Sequence, residues 1–157
     1  DKNEGVGFML KGYRLRFEIW GLILFLVIMI PNFIWFTVPA PNDILRAASV
    51  TGGIDTIATI SQVLMVAALC IFVNEKNNGF RITPLIVAVF ICCLLYFACW
   101  MGYYAGIVNA AVILGLTVFP CLAFMLFAVD RKNMIAVVPI SIFSICHLIY
   151  GVVNFII

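Results

Sequence analysis

Asp55 and His147 are the two residues whose placement first suggests chemistry: an acid and the one histidine of the chain, each set in a long apolar run. A carboxylate beside an imidazole can bind a cation, orient a polar ligand or take up a proton. Other polar groups recur around them at helical spacing. Asp55, Thr59, Gln62 and Val66 fall at i, i+4, i+7 and i+11, and Ser144, His147, Gly151 and Asn154 at i, i+3, i+7 and i+10, so each set shares one helix face. Tyr96, Trp100 and Tyr103 form an aromatic stripe of the same kind.

Several other chemistries can be set aside. The six cysteines (Cys70, Cys92, Cys93, Cys99, Cys121 and Cys146) all lie in apolar runs, with no CxxC among them and no second histidine to complete a metal site. They read as small buried apolar residues. Cys92 and Cys93 are adjacent on a helix and point apart, which disfavours a disulfide. No lysine lies inside an apolar run to form a Schiff base, one histidine cannot ligate haem twice, and HExxH and GxSxG are absent. No cofactor and no metal are expected, and a non-enzymatic role is favoured over an enzyme that uses His147 as a base.

The elements that carry these residues follow from composition. The 157 residues are 66% hydrophobic and 10% charged, with a mean hydropathy of +1.21. A soluble domain of this size could not carry that much apolar surface, so the solvent is a lipid bilayer. The net charge of +2, without a cationic patch, gives no footing for nucleic acid. Five runs are long enough to cross at about 20 residues each: 17–38, 54–73, 83–101, 107–129 and 134–156. The fold class is therefore all-α, a polytopic transmembrane bundle forming a single membrane domain over 1–157. The first run is too long for a signal-peptide core and has no small-residue cleavage site, so it is read as a retained crossing. Pro84 suits a helix start, whereas Pro31, Pro120 and Pro139 fall inside crossings and predict bends.

Charge sets the orientation. With five crossings, Lys2, Lys11, Arg14, Arg16, Lys76, Arg81, Arg131 and Lys132 share one side and Arg46 alone takes the other. The bias puts the N-terminus in the cytoplasm and the C-terminus outside, as in a multi-pass protein of the cell membrane. The longest connection, 39–53, lies outside. There Asn42 suits an N-cap, Ile44, Leu45, Ala47 and Ala48 suit one side of a brief interfacial helix, and Gly52 and Gly53 suit its end. A long connection in a small bundle suggests a lid.

The third and fifth crossings echo each other, Ile91-Cys-Cys-Leu-Leu-Tyr96 against Ile145-Cys-His-Leu-Ile-Tyr150, and so do the turns before them, Val73-Asn-Glu-Lys-Asn77 against Val129-Asp-Arg-Lys-Asn133. Asp55 matches Asn109 in the same way. The pattern predicts a duplicated helical hairpin behind one extra helix, with Cys93 and His147 equivalent. Repeats of this kind tend to hold a ligand between the copies.

Polar groups at membrane depth are costly and mark sites. Here they gather in the outer half: Asn32, Asp55, Thr59, Gln62, Tyr96 and Trp100 from the first three crossings, and Tyr103, Asn109, Ser144, His147, Tyr150 and Asn154 further along. These twelve are the candidate ligand-binding residues, around an outward-facing cavity lined by helices two, three and five with Asn32 and Asn109 at its edges. Plainer roles compete: Asp55 also suits a helix cap, His147 an interhelical hydrogen bond, and Trp35, Tyr103 and Tyr104 the aromatic belt.

The segment Pro31-Asn-Phe-Ile-Trp35, followed by Pro39-Ala-Pro-Asn-Asp43, resembles the first hairpin of small uncharacterised five-helix bacterial membrane proteins. The resemblance covers only the first part of the chain and implies the five-helix bundle and no activity. Tryptophan-rich sensory proteins are of similar size, but three Trp and the lack of their Trp- and Pro-rich motifs set this chain apart. The functional expectation is a protein that binds a small, partly apolar ligand, as a transporter or transporter subunit. It would work as a homo-oligomer or with another membrane protein. A structural or regulatory subunit is the alternative, and a His147 enzyme the third reading.

Overall fold

The computed structural model describes residues 11–77 and 79–157; Lys2, counted above on the cytoplasmic side, lies outside them. Five helices carry the fold: α1 Ile19–Thr37, α2 Gly52–Ile71, α3 Pro84–Tyr104, α4 Ala110–Asp130 and α5 Met134–Phe155. All five are long and apolar enough to cross a membrane. Local chemistry starts three of them. The side chains of Thr83, Asn109 and Asn133 accept from the backbone N–H of Ile86, Val112 and Ala136, each satisfying a donor that the first turn leaves open. Pro84 follows Thr83 at the first helical position, where its missing N–H costs nothing.

The helices form a ring with one weak sector. α3 packs along α4, α2 along α5, and α4 along α5, whereas α2 and α3 scarcely meet. α1 fills that gap, resting mainly on α2 and touching α3 and α4 only lightly. Exchanging α2 with α4 and α3 with α5 maps the α2–α5 contact onto the α4–α3 contact. The relation breaks at the α4–α5 contact, whose counterpart is the gap that α1 occupies. Close approach relies on small residues, as helix contacts in lipid do. A Cβ on Gly21 would stand 2.8 Å from the Leu69 carbonyl oxygen, and one on Gly151 would collide with the Thr117 methyl.

One end of the bundle carries a short antiparallel ladder that helical periodicity does not announce. β1 (Tyr13–Leu15) pairs with β2 (Phe72–Asn74), Tyr13 opposite Asn74 and Leu15 opposite Phe72. Past the ladder, the amides of Arg16 and Glu18 bond the carbonyls of Ile71 and Cys70 at 2.9 and 2.8 Å, which satisfies acceptors that the end of α2 would leave bare. Polar side chains knit this strand end further. Arg131 pairs with Glu18 at 2.9 Å and donates to the Gly79 carbonyl at 2.8 Å. Asn133 donates to the carbonyls of Ala68 and Phe72 at 3.0 and 2.9 Å. The Thr83 hydroxyl bonds Asp130.

At the opposite end, residues 38–51 fold over the bundle, and here two local expectations are corrected. The brief helix shrinks to a single 3-10 turn, Ile44–Arg46, and Asn42 does not cap it: its amide reaches the Gly106 carbonyl at 3.5 Å. Gly52 and Gly53 open α2 instead of ending the turn, since the first turn of a helix needs no intrahelical donors.

Candidate functional site

Asp43 organises the loop end. Its carboxylate accepts from Trp35 Nε1 at 2.9 and 3.0 Å, from the Tyr103 hydroxyl at 2.9 Å, from Arg46 Nε at 2.7 Å and from the Ala40 amide at 3.3 Å. Partial burial alone would raise the Asp43 pKa, but the bonds from Trp35, Tyr103, Arg46 and Ala40 outweigh it and hold the carboxyl below its ordinary value. The Arg46 guanidinium lies 4.7 Å over the Trp35 ring and also bonds the Trp35 carbonyl. Tyr103 accepts from the Leu45 amide at 3.2 Å, and the Tyr104 hydroxyl donates to the Val38 carbonyl at 2.6 Å. The 38–51 connection is thus clamped to α1 and α3.

Beneath it lies a cavity of about 380 Å³. α1 contributes Phe25, Ile28, Met29, Asn32 and Phe36, and α2 contributes Asp55, Ala58, Thr59 and Gln62. The remaining wall is Tyr96 of α3, Pro120 and Phe124 of α4, and Phe143, His147 and Tyr150 of α5. A second space of about 220 Å³ sits closer to the loop end, between Trp35, Leu45, Trp100, Ile113, Leu116, Thr117 and Phe155. Asn32, Tyr96, His147 and Tyr150 line both spaces and so form the wall between them.

Helical spacing and tertiary packing together explain which candidates meet. Asp55, Thr59 and Gln62 reach the cavity from one face of α2. The Asp55 carboxylate accepts from the Thr51 hydroxyl at 2.7 Å, in the first turn where a negative charge suits the helix dipole. His147 stacks between Phe143 and Tyr150, with ring centroids 5.0 and 6.1 Å away. Asp55 and His147 share the cavity but form no ion pair; the ion pairs among the described residues are Arg14–Glu75, Arg46–Asp43 and Arg131–Glu18. Asn32 donates to the Tyr96 hydroxyl at 2.8 Å and to the Ile28 carbonyl at 3.2 Å. Trp100 crosses Tyr96 and Tyr103 edge to face, at 6.4 and 5.8 Å.

Five candidates stand outside the lining of the larger cavity; of these Trp100 lines the smaller space, and the other four line neither. Tyr103 is fully buried in the Asp43 clamp, which also removes it from a lipid-facing belt. Asn109 caps α4, and Ser144 bonds back to the Ile140 carbonyl at 2.7 Å. Asn154 accepts from the Val50 amide and donates to the Thr51 hydroxyl, both at 2.8 Å, and so ties the connection to α5. Cys93, the sequence counterpart of His147, faces Trp20, Ile86 and Phe90 and not the cavity. Sequence reasoning found Asn32 of the α1 wall but passed over Phe25, Ile28, Met29 and Phe36 beside it, and the polar anchors Glu18, Asp43, Arg131 and Asn133. An acid at the head of an apolar run is the one signal that pointed to Glu18.

The fold defines a class: a bundle of five helices, each of membrane-spanning length and apolarity, as a multi-pass membrane protein needs. Beyond the class, no protein-family model, no curated protein and no solved structure matches the chain.

Proposed function

We propose that the chain is an integral membrane protein that binds a small, partly apolar ligand in the 380 Å³ cavity and passes it across the bilayer, as a transporter or a transporter subunit. The observation that carries this reading is the lining itself. Aromatic walls from Phe25, Phe124, Phe143 and Tyr150 surround the polar atoms of Asn32, Asp55, Gln62 and His147, contributed by three helices. A volume of this size falls within the roughly 300–1,000 Å³ of small-molecule sites, which are mostly apolar with a few converging polar groups. The polar face of α2 and the His147 side chain, both lining the cavity, favour a ligand over a partner subunit, which would need such groups on the outer surface. The excess of Lys and Arg at the strand end supports a cytoplasmic N-terminus, so the cavity half faces outward in the cell membrane.

The test is thermal stabilisation of the purified protein across a panel of small neutral and zwitterionic solutes. A solute that raises the melting temperature of the wild type, and loses that effect in Asp55→Asn, His147→Ala and Tyr96→Ala, supports the reading. Substitutions that leave every solute effect unchanged, but alter which membrane protein co-purifies, would move the chain to the structural-subunit class.

A further inference from the structure

The smaller chamber, behind the wall of Asn32, Tyr96, His147 and Tyr150, differs from the cavity in its chemistry. Its lining holds no carboxylate, lysine or arginine. It does hold an unused donor. Trp100 is 6% exposed, and its Nε1–H is buried with no hydrogen-bond partner. The Trp100 ring meets that of Tyr96 edge to face, with centroids 6.4 Å apart. Tyr96 in turn accepts from Asn32, which leaves its own O–H free to donate. Both donors belong to residues that line the chamber. The other polar group on the far side, the Thr117 hydroxyl, already donates within α4, to the Ile113 and Leu114 carbonyls.

We propose that this chamber is a second subsite, selective for a neutral hydrogen-bond acceptor carried on a flat apolar body, such as an aryl ketone, ester or amide, with Trp100 Nε1 and the Tyr96 hydroxyl as its donors. The proposal rests on the ligand-binding reading above and names the class of group that the ligand carries. A buried donor without a partner is disfavoured, so an acceptor that fills the space gains a bond that the empty chamber lacks. An anion would meet no lysine or arginine there and a cation no carboxylate, so the cost of desolvation disfavours charge. Trp35, Tyr150 and Phe155 supply aromatic surface for a planar body. Leu45 and Trp35 close the loop side, and both are held by the Asp43 clamp.

Acetophenone and ethylbenzene separate the donor chemistry from simple apolar filling, since they share a size and differ in the carbonyl. In protein labelled with nitrogen-15 at tryptophan, the three indole N–H signals of Trp20, Trp35 and Trp100 can be followed singly. Loss of one signal in Trp100→Phe, or elimination through Trp20→Phe and Trp35→Phe should that variant fail to fold, assigns them. Acetophenone should move the Trp100 proton signal downfield while Trp20 and Trp35 stay fixed, and ethylbenzene should not. Tyr96→Phe should weaken acetophenone binding. A Trp100 signal that saturating acetophenone leaves unmoved, or that ethylbenzene moves equally, overturns the subsite. If acetophenone instead raises the melting temperature in a way lost in Asp55→Asn and kept in Trp100→Phe, the cavity reading stands and the chamber proposal falls.

Discussion

The two ends of the bundle treat polar side chains in opposite ways. At the strand end, groups taken out of water are paired with one another: Arg131 with Glu18 and Gly79, Asn133 with Ala68, Phe72 and Ala136, Thr83 with Asp130. In the half below the 38–51 connection, Gln62, His147 and Tyr150 turn toward empty space, and Trp100 Nε1 is buried without a partner. Burying a polar group costs free energy unless a bond compensates it. The strand end meets most of that cost internally, with Arg131 Nε left unpaired, and so reads as architecture. The cavity half leaves it open, which is what a site that waits for a ligand must do.

The largest effect should come from breaking the strand end. Arg131→Ala strands the Glu18 carboxylate, whose side chain is only 12% exposed, and frees the Gly79 carbonyl. Removing one partner of a buried pair costs about 3–5 kcal/mol, and an unfolding titration with SDS should show a loss of that order. The double substitution Arg131→Met with Glu18→Gln removes the stranded charge and should recover part of the loss. If Arg131→Ala proves nearly silent, the pair is solvated and the contrast between the two ends collapses.

A smaller effect is expected at Asp43, which belongs to the loop end yet is paired like the strand end. Its pKa is lowered in the fold, so the clamp contributes in full above the ordinary carboxylate range and is lost as pH falls through the lowered value. Asp43→Asn should remove roughly 1.5–3 kcal/mol at neutral pH, the range for a hydrogen bond to a charged group. Hydrogen-exchange protection of the Ala40 and Leu45 amides should drop in the variant at every pH. In the wild type it should drop only toward acid. Protection that stays equal in the two proteins at neutral pH would detach Asp43 from the closure of the connection.

How much of this the amino-acid sequence discloses depends on the range of the interactions. The five helices are legible because each is a long apolar run, three of them with their own start signals, and nothing distant is needed to form it. The shared face of Asp55, Thr59 and Gln62 is legible for the same reason. Spacing reports direction and not the partner, however. Asn154 continues the face of His147 by two turns, yet at that height it meets Val50 and Thr51 and not the cavity. Asp43 owes its place to Tyr103, sixty residues away, and no local pattern predicts that bond. A count of loop charges treats Arg131 as a solvated cation, whereas the chain entering α1 folds beneath it and supplies Glu18. The β1–β2 ladder escaped for a similar reason: three residues on each side carry too little periodicity to stand out.

The smallest expected effect is the most discriminating. Among the described residues no side chain or backbone group pairs with the Gln62 amide, which lines the cavity one helical turn from Thr59. Gln62→Leu shortens the side chain by one bond and removes no intramolecular hydrogen bond, so its effect on stability should lie within about 0.5 kcal/mol of zero, as for positions outside any network. The sign should tend toward stabilisation, since an apolar group replaces an amide held away from bulk water. Measured in the same SDS titration as Arg131→Ala, the pair of values sets the two halves of the molecule on one scale. A loss above about 2 kcal/mol for Gln62→Leu would mean that the amide has a structural partner after all. The cavity would then be a packed polar core like the strand end. A near-zero value, together with the disappearance of a solute-induced rise in melting temperature, separates a group kept for binding from one kept for folding.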